Sequence, residues 1–197
     1  LVDYTEIGMP MAYFYGYETA GIFQTDEEAA AYEALPNAQA GDVIFVDQNG
    51  DGTIDADDKT MIGNPHPDFT YGFNASLNYK AFDFSLFLQG THGNDVLNGV
   101  FRYDLNTTNL PVAALERWTG EGTSDLYPRI SHSDPNQNNR ISDRFVEDGS
   151  FLRIKNVQVG YTLPASVMQR LQIGKCRIYV AASNLFTFTS YSGLDPA

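Results

Sequence analysis

Six residues within one short stretch have the types and spacing of a hard-cation site. In the run Asp47-Gln48-Asn49-Gly50-Asp51-Gly52-Thr53-Ile54-Asp55-Ala56-Asp57-Asp58, side-chain oxygens fall at Asp47, Asn49, Asp51, Asp55 and Asp58. The run follows the calcium-loop pattern D-x-[DN]-x-[DN]-G. Calcium is held by several hard oxygens at once, so carboxylates and amides at alternate positions of a tight loop suit it. Thr53 would add its backbone carbonyl, Asp55 would act at the ninth position and Asp58 at the twelfth. Gly52 permits the sharp turn, and Ile54 pins the loop with an apolar contact. Asp58 stands where an EF-hand carries Glu, and Val43-Ile44-Phe45-Val46 ahead of the loop reads as a strand rather than a helix. The expectation is a structural calcium site at residues 47–58, outside an EF-hand, with a plain acidic turn as the alternative.

Nothing else in the chain has catalytic spacing. The three histidines, His66, His92 and His132, form no metal-ligand or nucleophile pattern. Asp143, Glu147 and Asp148 could pair as glycosidase carboxylates only if folding brought them to a suitable separation. As loop residues they read as solvated charges, so no catalytic residue is assigned. Tyr103, Trp118 and Tyr127 could stack on sugar rings or pack their own loop.

The elements that position these residues are strands. From Phe69 to Tyr79 one face reads Phe69, Tyr71, Phe73, Ala75, Leu77, Tyr79, and the other Thr70, Gly72, Asn74, Ser76, Asn78. This is strict period-two alternation. Only Lys80 and Ala81 separate it from a second strand with Phe82, Phe84, Leu86 and Leu88 on one face, and Asp83, Ser85 and Gln89 on the other. Phe87 breaks that pattern. A strand that crosses a bilayer at a tilt needs roughly 9–11 residues, longer than the ~5–6 usual in soluble sheets. Further strands are expected over residues 12–23, 151–162 and 177–188, with Asn184 out of phase in the last. A short helix is expected over residues 164–171, closed by Gly174, and another over residues 111–118. The joining loops are unequal: a tight one at Lys80–Ala81, a moderate one at 163–174, and a very long one at about 93–148. Transmembrane barrels have that asymmetry, with short periplasmic turns and long extracellular loops.

Composition agrees with strands and narrows the partners. The chain has 12 Tyr, 13 Phe and one Trp, which favours sheets. Its formal net charge of −13 argues against nucleic acid, whose phosphates call for clustered Lys and Arg. The single cysteine, Cys176, allows no internal disulfide. No run of about 18 apolar residues is present, so no transmembrane helix is expected. The soluble alternative is a secreted, calcium-stabilised β-sandwich binding module.

Several stretches in order carry a family resemblance. They are Gly41-Asp42-Val43-Ile44-Phe45-Val46-Asp47 running into the calcium-type loop, and Ile62-Gly63-Asn64-Pro65-His66-Pro67-Asp68-Phe69-Thr70-Tyr71-Gly72-Phe73. Downstream stand Val146-Glu147-Asp148-Gly149-Ser150-Phe151-Leu152-Arg153-Ile154-Lys155-Asn156-Val157, Gly160-Tyr161-Thr162-Leu163-Pro164 and Ala182-Ser183-Asn184-Leu185-Phe186-Thr187. Together they resemble the C-terminal barrel part of the SusC/RagA type of TonB-dependent outer-membrane transporter. The resemblance implies an all-β, antiparallel transmembrane barrel segment with long extracellular loops, part of a roughly 22-stranded barrel. It also implies an N-terminal plug, energy supplied through TonB, a SusD-like surface lipoprotein as lid, and import of an oligosaccharide or peptide at the cell outer membrane. The expectation for residues 1–197 is five or six strands of such a barrel, too few to close it.

Overall fold

Strands dominate the computed structural model, which describes residues 2–99 and 112–196. In chain order they are β1 (Asp3–Tyr4), β2 (Tyr13–Tyr17), β3 (Thr19–Ile22), β4 (Val43–Phe45), β5 (Lys59–Gly63), β6 (Phe69–Tyr79), β7 (Phe82–His92), β8 (Asp95–Leu97), β9 (Val146–Asp148), β10 (Phe151–Thr162) and β11 (Arg177–Thr189). Helices are short: α1 (Asp26–Ala31) and α2 (Ala165–Leu171). None among the described residues is long and apolar enough to cross a membrane, which says nothing of crossing by strands. The chain forms two compact units, Leu1–Pro65 with Asp95–Glu147, and His66–Asn94 with Asp148–Ala197.

The second unit is one antiparallel sheet in the order β6-β7-β10-β11. Four long strands are present among the described residues rather than five or six; the other strands are short and belong mostly to the first unit. The β6–β7 ladder is unbroken, from Phe69 opposite His92 to Tyr79 opposite Phe82. Eleven residues at ~3.4 Å each, tilted by ~45°, rise about 26 Å, close to the ~25 Å apolar band of an outer-membrane barrel. The register carries the apolar face across all four strands: Leu77, Phe84, Val159 and Val180 stand side by side. A soluble sandwich would cover this face with a second sheet. Instead Phe73 is 57% exposed, Val180 75% and Phe186 55%, as a lipid-facing surface requires.

Of the two irregularities in the pattern, Phe87 is in phase with its strand and Asn184 sits at a bulge. Phe87 lies on the polar face opposite Asn74. At that level β10 inserts Lys155 between Ile154, opposite Leu88, and Asn156, opposite Phe87. This bulge puts Ile154 and Val157 on the same face three residues apart, which is why the alternation of β10 reads weakly. Against β10, β11 places Asn184 and Leu185 where Lys155 stands alone, and Asn184 takes a left-handed backbone with φ 50°.

The turns gather at one end of the sheet. The Thr162 N–H donates to the Ala81 carbonyl (2.8 Å) and the Leu163 N–H to the Cys176 carbonyl (3.0 Å). Lys80 turns the hairpin with φ 55°. Helix α2 begins after Pro164, but its left-handed cap is Gln172 (φ 54°) and not Gly174 as expected. At the opposite end the Gly93 N–H donates to Ser150 Oγ (3.0 Å).

The first unit packs around Tyr17, Phe23, Ala29, Leu35, Val43 and Phe45. The strand expected over residues 12–23 is broken at Glu18 into β2 and β3, which join different sheets, β1-β2-β5 and β3-β4. Val43 and Phe45 point inward on alternate positions of β4 and are fully buried. Lys59 and Arg140 lie 5.4 and 5.3 Å from the Tyr17 ring centre, and Arg140 also lies 5.0 Å from that of Phe45. The described parts of the long connection hold β8, β9 and 3-10 turns at Val112–Glu116 and Asp143–Phe145. Val112–Glu116 falls within the helix expected over residues 111–118; Pro111 lies outside the described residues.

Leu86, mid-strand on the apolar face, gives a direct test. Leu86→Arg is expected to cost about 2–4 kcal/mol in equilibrium unfolding of the bilayer-embedded protein, and Ser85→Arg on the opposite face far less.

Candidate functional site

The aspartate-rich loop is built from side chains that accept its own backbone amides. Asp47 accepts from the N–H groups of Gly50 (2.7 Å) and Gly52 (2.8 Å). Asn49 Oδ1 accepts from the Asp51 N–H (2.8 Å), and Asp51 Oδ1 from the N–H (2.9 Å) and hydroxyl (2.7 Å) of Thr53. The Thr53 bonds are the main reason the Asp51 carboxyl is held below the ordinary carboxylate range, so it stays ionised at neutral pH. Gly52 has φ 83°, a left-handed conformation that a side chain would strain. Asp55 caps the 3-10 turn Ala56–Asp58 by accepting from the Asp57 N–H (2.8 Å).

Asp58 does something different from the exposed residues. It is completely buried, and its two oxygens accept from the Gln48 N–H (2.9 Å) and the Asp55 N–H (2.7 Å). It therefore clasps both ends of the loop. Hard oxygens at Asp47, Asn49, Asp51, Asp55 and the Thr53 carbonyl suit calcium in type and spacing, and their solvent-facing lone pairs remain available. Among the described residues, no three His, Cys, Asp or Glu side chains already converge to hold an ion.

Immediately ahead of this loop lies the polar centre of the first unit, which the sequence pattern does not reveal. Asp42 is fully buried. Arg129 donates to it twice, Nε to Oδ1 (2.7 Å) and Nη2 to Oδ2 (3.1 Å). The Asn138 amide and the Gln39 N–H fill its remaining acceptor sites at 2.9 and 3.0 Å. Asn138 in turn accepts from the Val43 N–H (2.9 Å), and Asn136 donates to the Val43 carbonyl (3.0 Å). The paired carboxylate pushes the Arg129 guanidinium further above its usual range. Gly41 has φ 85°, and a Cβ there would lie 2.4 Å from the Trp118 ring, so the chain crosses the indole only as glycine.

The long segment is stitched down by further polar contacts, all within the first unit except that of Asp148 with Ser150. Gln24 accepts from Trp118 Nε1 (3.2 Å) and the Gly122 N–H (2.9 Å), and the Trp118 N–H donates to the Tyr127 carbonyl (2.8 Å). Trp118 and Tyr127 thus take part in packing the segment; Tyr103 lies outside the described residues. Asp143 accepts from the Thr19 N–H (3.1 Å) and hydroxyl (2.7 Å), Glu147 from the Asn98 amide (2.6 Å), and Asp148 from the Ser150 N–H (2.8 Å). These carboxylates hold backbone and side chains in place. One missed element had a readable signal: Thr25-Asp26-Glu27-Glu28 is a helix-start pattern, with Thr25 Oγ1 accepting from the Glu28 N–H (3.2 Å) at the head of α1.

A two-faced antiparallel sheet of membrane-spanning strands defines a portion of an outer-membrane β-barrel wall. No family model matches the chain. It is 36% identical over 191 residues to TonB-dependent receptor P3 of Formosa agariphila, covering 96% of this chain and 19% of that protein. Over 155 residues it is 31% identical to TonB-dependent receptor SusC of Bacteroides thetaiotaomicron, covering 78% and 15%. The solved structure of the RagAB peptide importer in its open-open state matches with a TM-score of 0.73 and 26% identity, covering 100% of this chain and 22% of that one. The chain belongs to the SusC/RagA type of TonB-dependent receptor, a family of outer-membrane β-barrel proteins and not of enzymes. It spans about a fifth of the length of the curated relatives it matches.

Removing Asp42 strands Arg129, Asn138 and the Gln39 amide together. Asp42→Ala is expected to destabilise the first unit by about 3 kcal/mol, the low end for a broken buried pair because Arg129 is partly exposed. Limited proteolysis within residues 112–142 should become correspondingly faster.

Proposed function

We propose that this chain is part of the wall and outer surface of a TonB-dependent importer that carries an oligosaccharide or peptide across the outer membrane with a SusD-like lipoprotein. The match over the whole chain to a peptide importer carries the reading, and the exposed apolar face of the sheet supports it. Among the described residues β6 and β11 each have one unpaired edge. In hydrocarbon such edges require neighbouring strands, which the rest of a full-length receptor would supply. On this reading the Lys80–Ala81 turn faces the periplasm. The calcium-type loop and residues 93–148 then lie outside, where they offer a surface to the lipoprotein or substrate.

Deleting the full-length receptor should abolish TonB-dependent growth on one oligosaccharide or peptide source. A tag at Gly50 should be labelled in intact cells, and a tag at Lys80 should not. Surface labelling at Lys80 with none at Gly50 would reverse the topology, and undiminished growth on every glycan and peptide source tested would defeat the import reading.

We also propose that the outward loop binds calcium as a structural brace, through Asp47, Asn49, Asp51, Asp55 and the Thr53 carbonyl, with Asp58 at the twelfth position. The donor types and the alternate spacing support this. Asp58, each of whose oxygens accepts one amide, would join the ion through the lone pairs those bonds leave free. Added calcium should slow proteolysis at residues 47–58 of the full-length receptor, and Asp51→Ala should remove that protection while leaving the barrel folded. Protection that does not respond to calcium would refute the brace.

A further inference from the structure

Charge is distributed very unevenly along the membrane sheet. Residues 79–83 and 162–177 comprise the two turns at one end and the strand ends beside them. They contain Lys80, Arg170, Lys175 and Arg177 against one carboxylate, Asp83, in a chain whose formal charge is −13. Asp83 is already engaged on the polar face, where Arg177 Nε donates to it at 2.9 Å. That leaves Lys80, Arg170 and Lys175, all exposed and without a carboxylate partner among the described residues.

Lys80 stands at the rim of the apolar face. Its ammonium lies 5.3 Å from the ring centre of Tyr79, which is 65% exposed on that face. The rings of Phe82 and Tyr161, 4.7 Å apart, continue the aromatic rim along the same end of the sheet. Such rings mark the depth at which apolar chains give way to headgroups. Lys80 also holds a left-handed backbone, φ 55°, at a turn position where Asn or Gly would be less strained. Turn geometry therefore does not account for a lysine there, and its ammonium meets the Tyr79 ring but no carboxylate among the described residues.

We propose that Lys80, Arg170 and Lys175 form a cationic rim that seats this end of the sheet on the phosphate headgroups of anionic phospholipid in the periplasmic leaflet. The long stems of all three let the charged heads reach the phosphates, and Lys80 already lies over the Tyr79 ring on the apolar face. A periplasmic protein partner is disfavoured because Lys80 sits against the lipid-side aromatic rim, while the polar-face cation, Arg177, is already neutralised. The inference rests on the sidedness given under Proposed function.

The test uses the full-length receptor in detergent, with phosphatidylglycerol as the probe and native mass spectrometry to count retained lipid. Retention is expected to weaken on the order of fivefold for each cation removed in Lys80→Gln, Arg170→Gln and Lys175→Gln. The charge-keeping set Lys80→Arg, Arg170→Lys and Lys175→Arg should retain wild-type binding. Heat-modifiability on gels reports folding, and the single Lys80→Gln variant serves if the combined one does not fold. Equal retention by wild type and Gln variants overturns the proposal and leaves these cations to a protein partner. Cation-dependent binding of lipopolysaccharide in preference to phosphatidylglycerol overturns the assignment to the periplasmic leaflet. A Lys80 tag that is labelled in intact cells defeats the sidedness reading separately from either result.

Discussion

Hydrocarbon offers no hydrogen bonds, and most of this structure follows from that. Each backbone N–H and C=O at membrane depth must find a partner within the sheet. The β6–β7 ladder meets this with eleven residues a side and no break in register. Because side chains alternate, satisfying the backbone also sorts Phe73, Leu77 and Phe84 to one surface and Asn74, Ser76 and Ser85 to the other. Strand length, the tight turn at Lys80 and the openness of the aromatic face are consequences of this single requirement. The bulge at Lys155 is tolerated because β10 lies between two partners and recovers its pairing on both sides within two residues.

Outside the spanning strands water competes for every polar group, and the chain uses a different currency of order. The first unit has a small apolar core, and its long segment is held down largely by hydrogen bonds. Asp42 is the densest point: a buried carboxylate is costly unless every oxygen is met, and here Arg129, Asn138 and Gln39 meet them all. Specific polar pairing of this kind fixes one arrangement of a long excursion where an apolar contact would leave several nearly equal. The clasp of Asp58 on Gln48 and Asp55 does the same locally, and it lets the loop between them be acidic without springing open.

How much could be read in advance follows the same division. The strand from Phe69 to Tyr79 was legible to the residue, and the next from Phe82 to Gln89 of its full run to His92, because alternation is a local property imposed by the solvent on each face. Asn184 stood out as an exception, but its cause lay at the Lys155 bulge on another strand, which no single-strand pattern contains. The order of Asp and Asn through the calcium-type loop was legible for the same local reason. The buried role of Asp58 was not, since spacing gives no sign of burial. Asp42 and Arg129 are far apart in sequence, and nothing in either neighbourhood marks them as partners. Similarly, the single strand expected over residues 12–23 changes sheets at Glu18, a choice made by where β4 and β5 offer edges.

A nitroxide scan through positions 69 to 79 of the full-length receptor in lipid bilayers measures the central claim most directly. Oxygen, which concentrates in hydrocarbon, and a water-soluble nickel chelate would serve as competing relaxants. If β6 crosses the membrane with one face to lipid, oxygen accessibility peaks at positions 71, 73, 75 and 77 and the chelate reaches 72, 74, 76 and 78 more readily, with a period of two throughout. Uniform access of the chelate to both sets, or no alternation at all, would contradict a membrane-spanning strand.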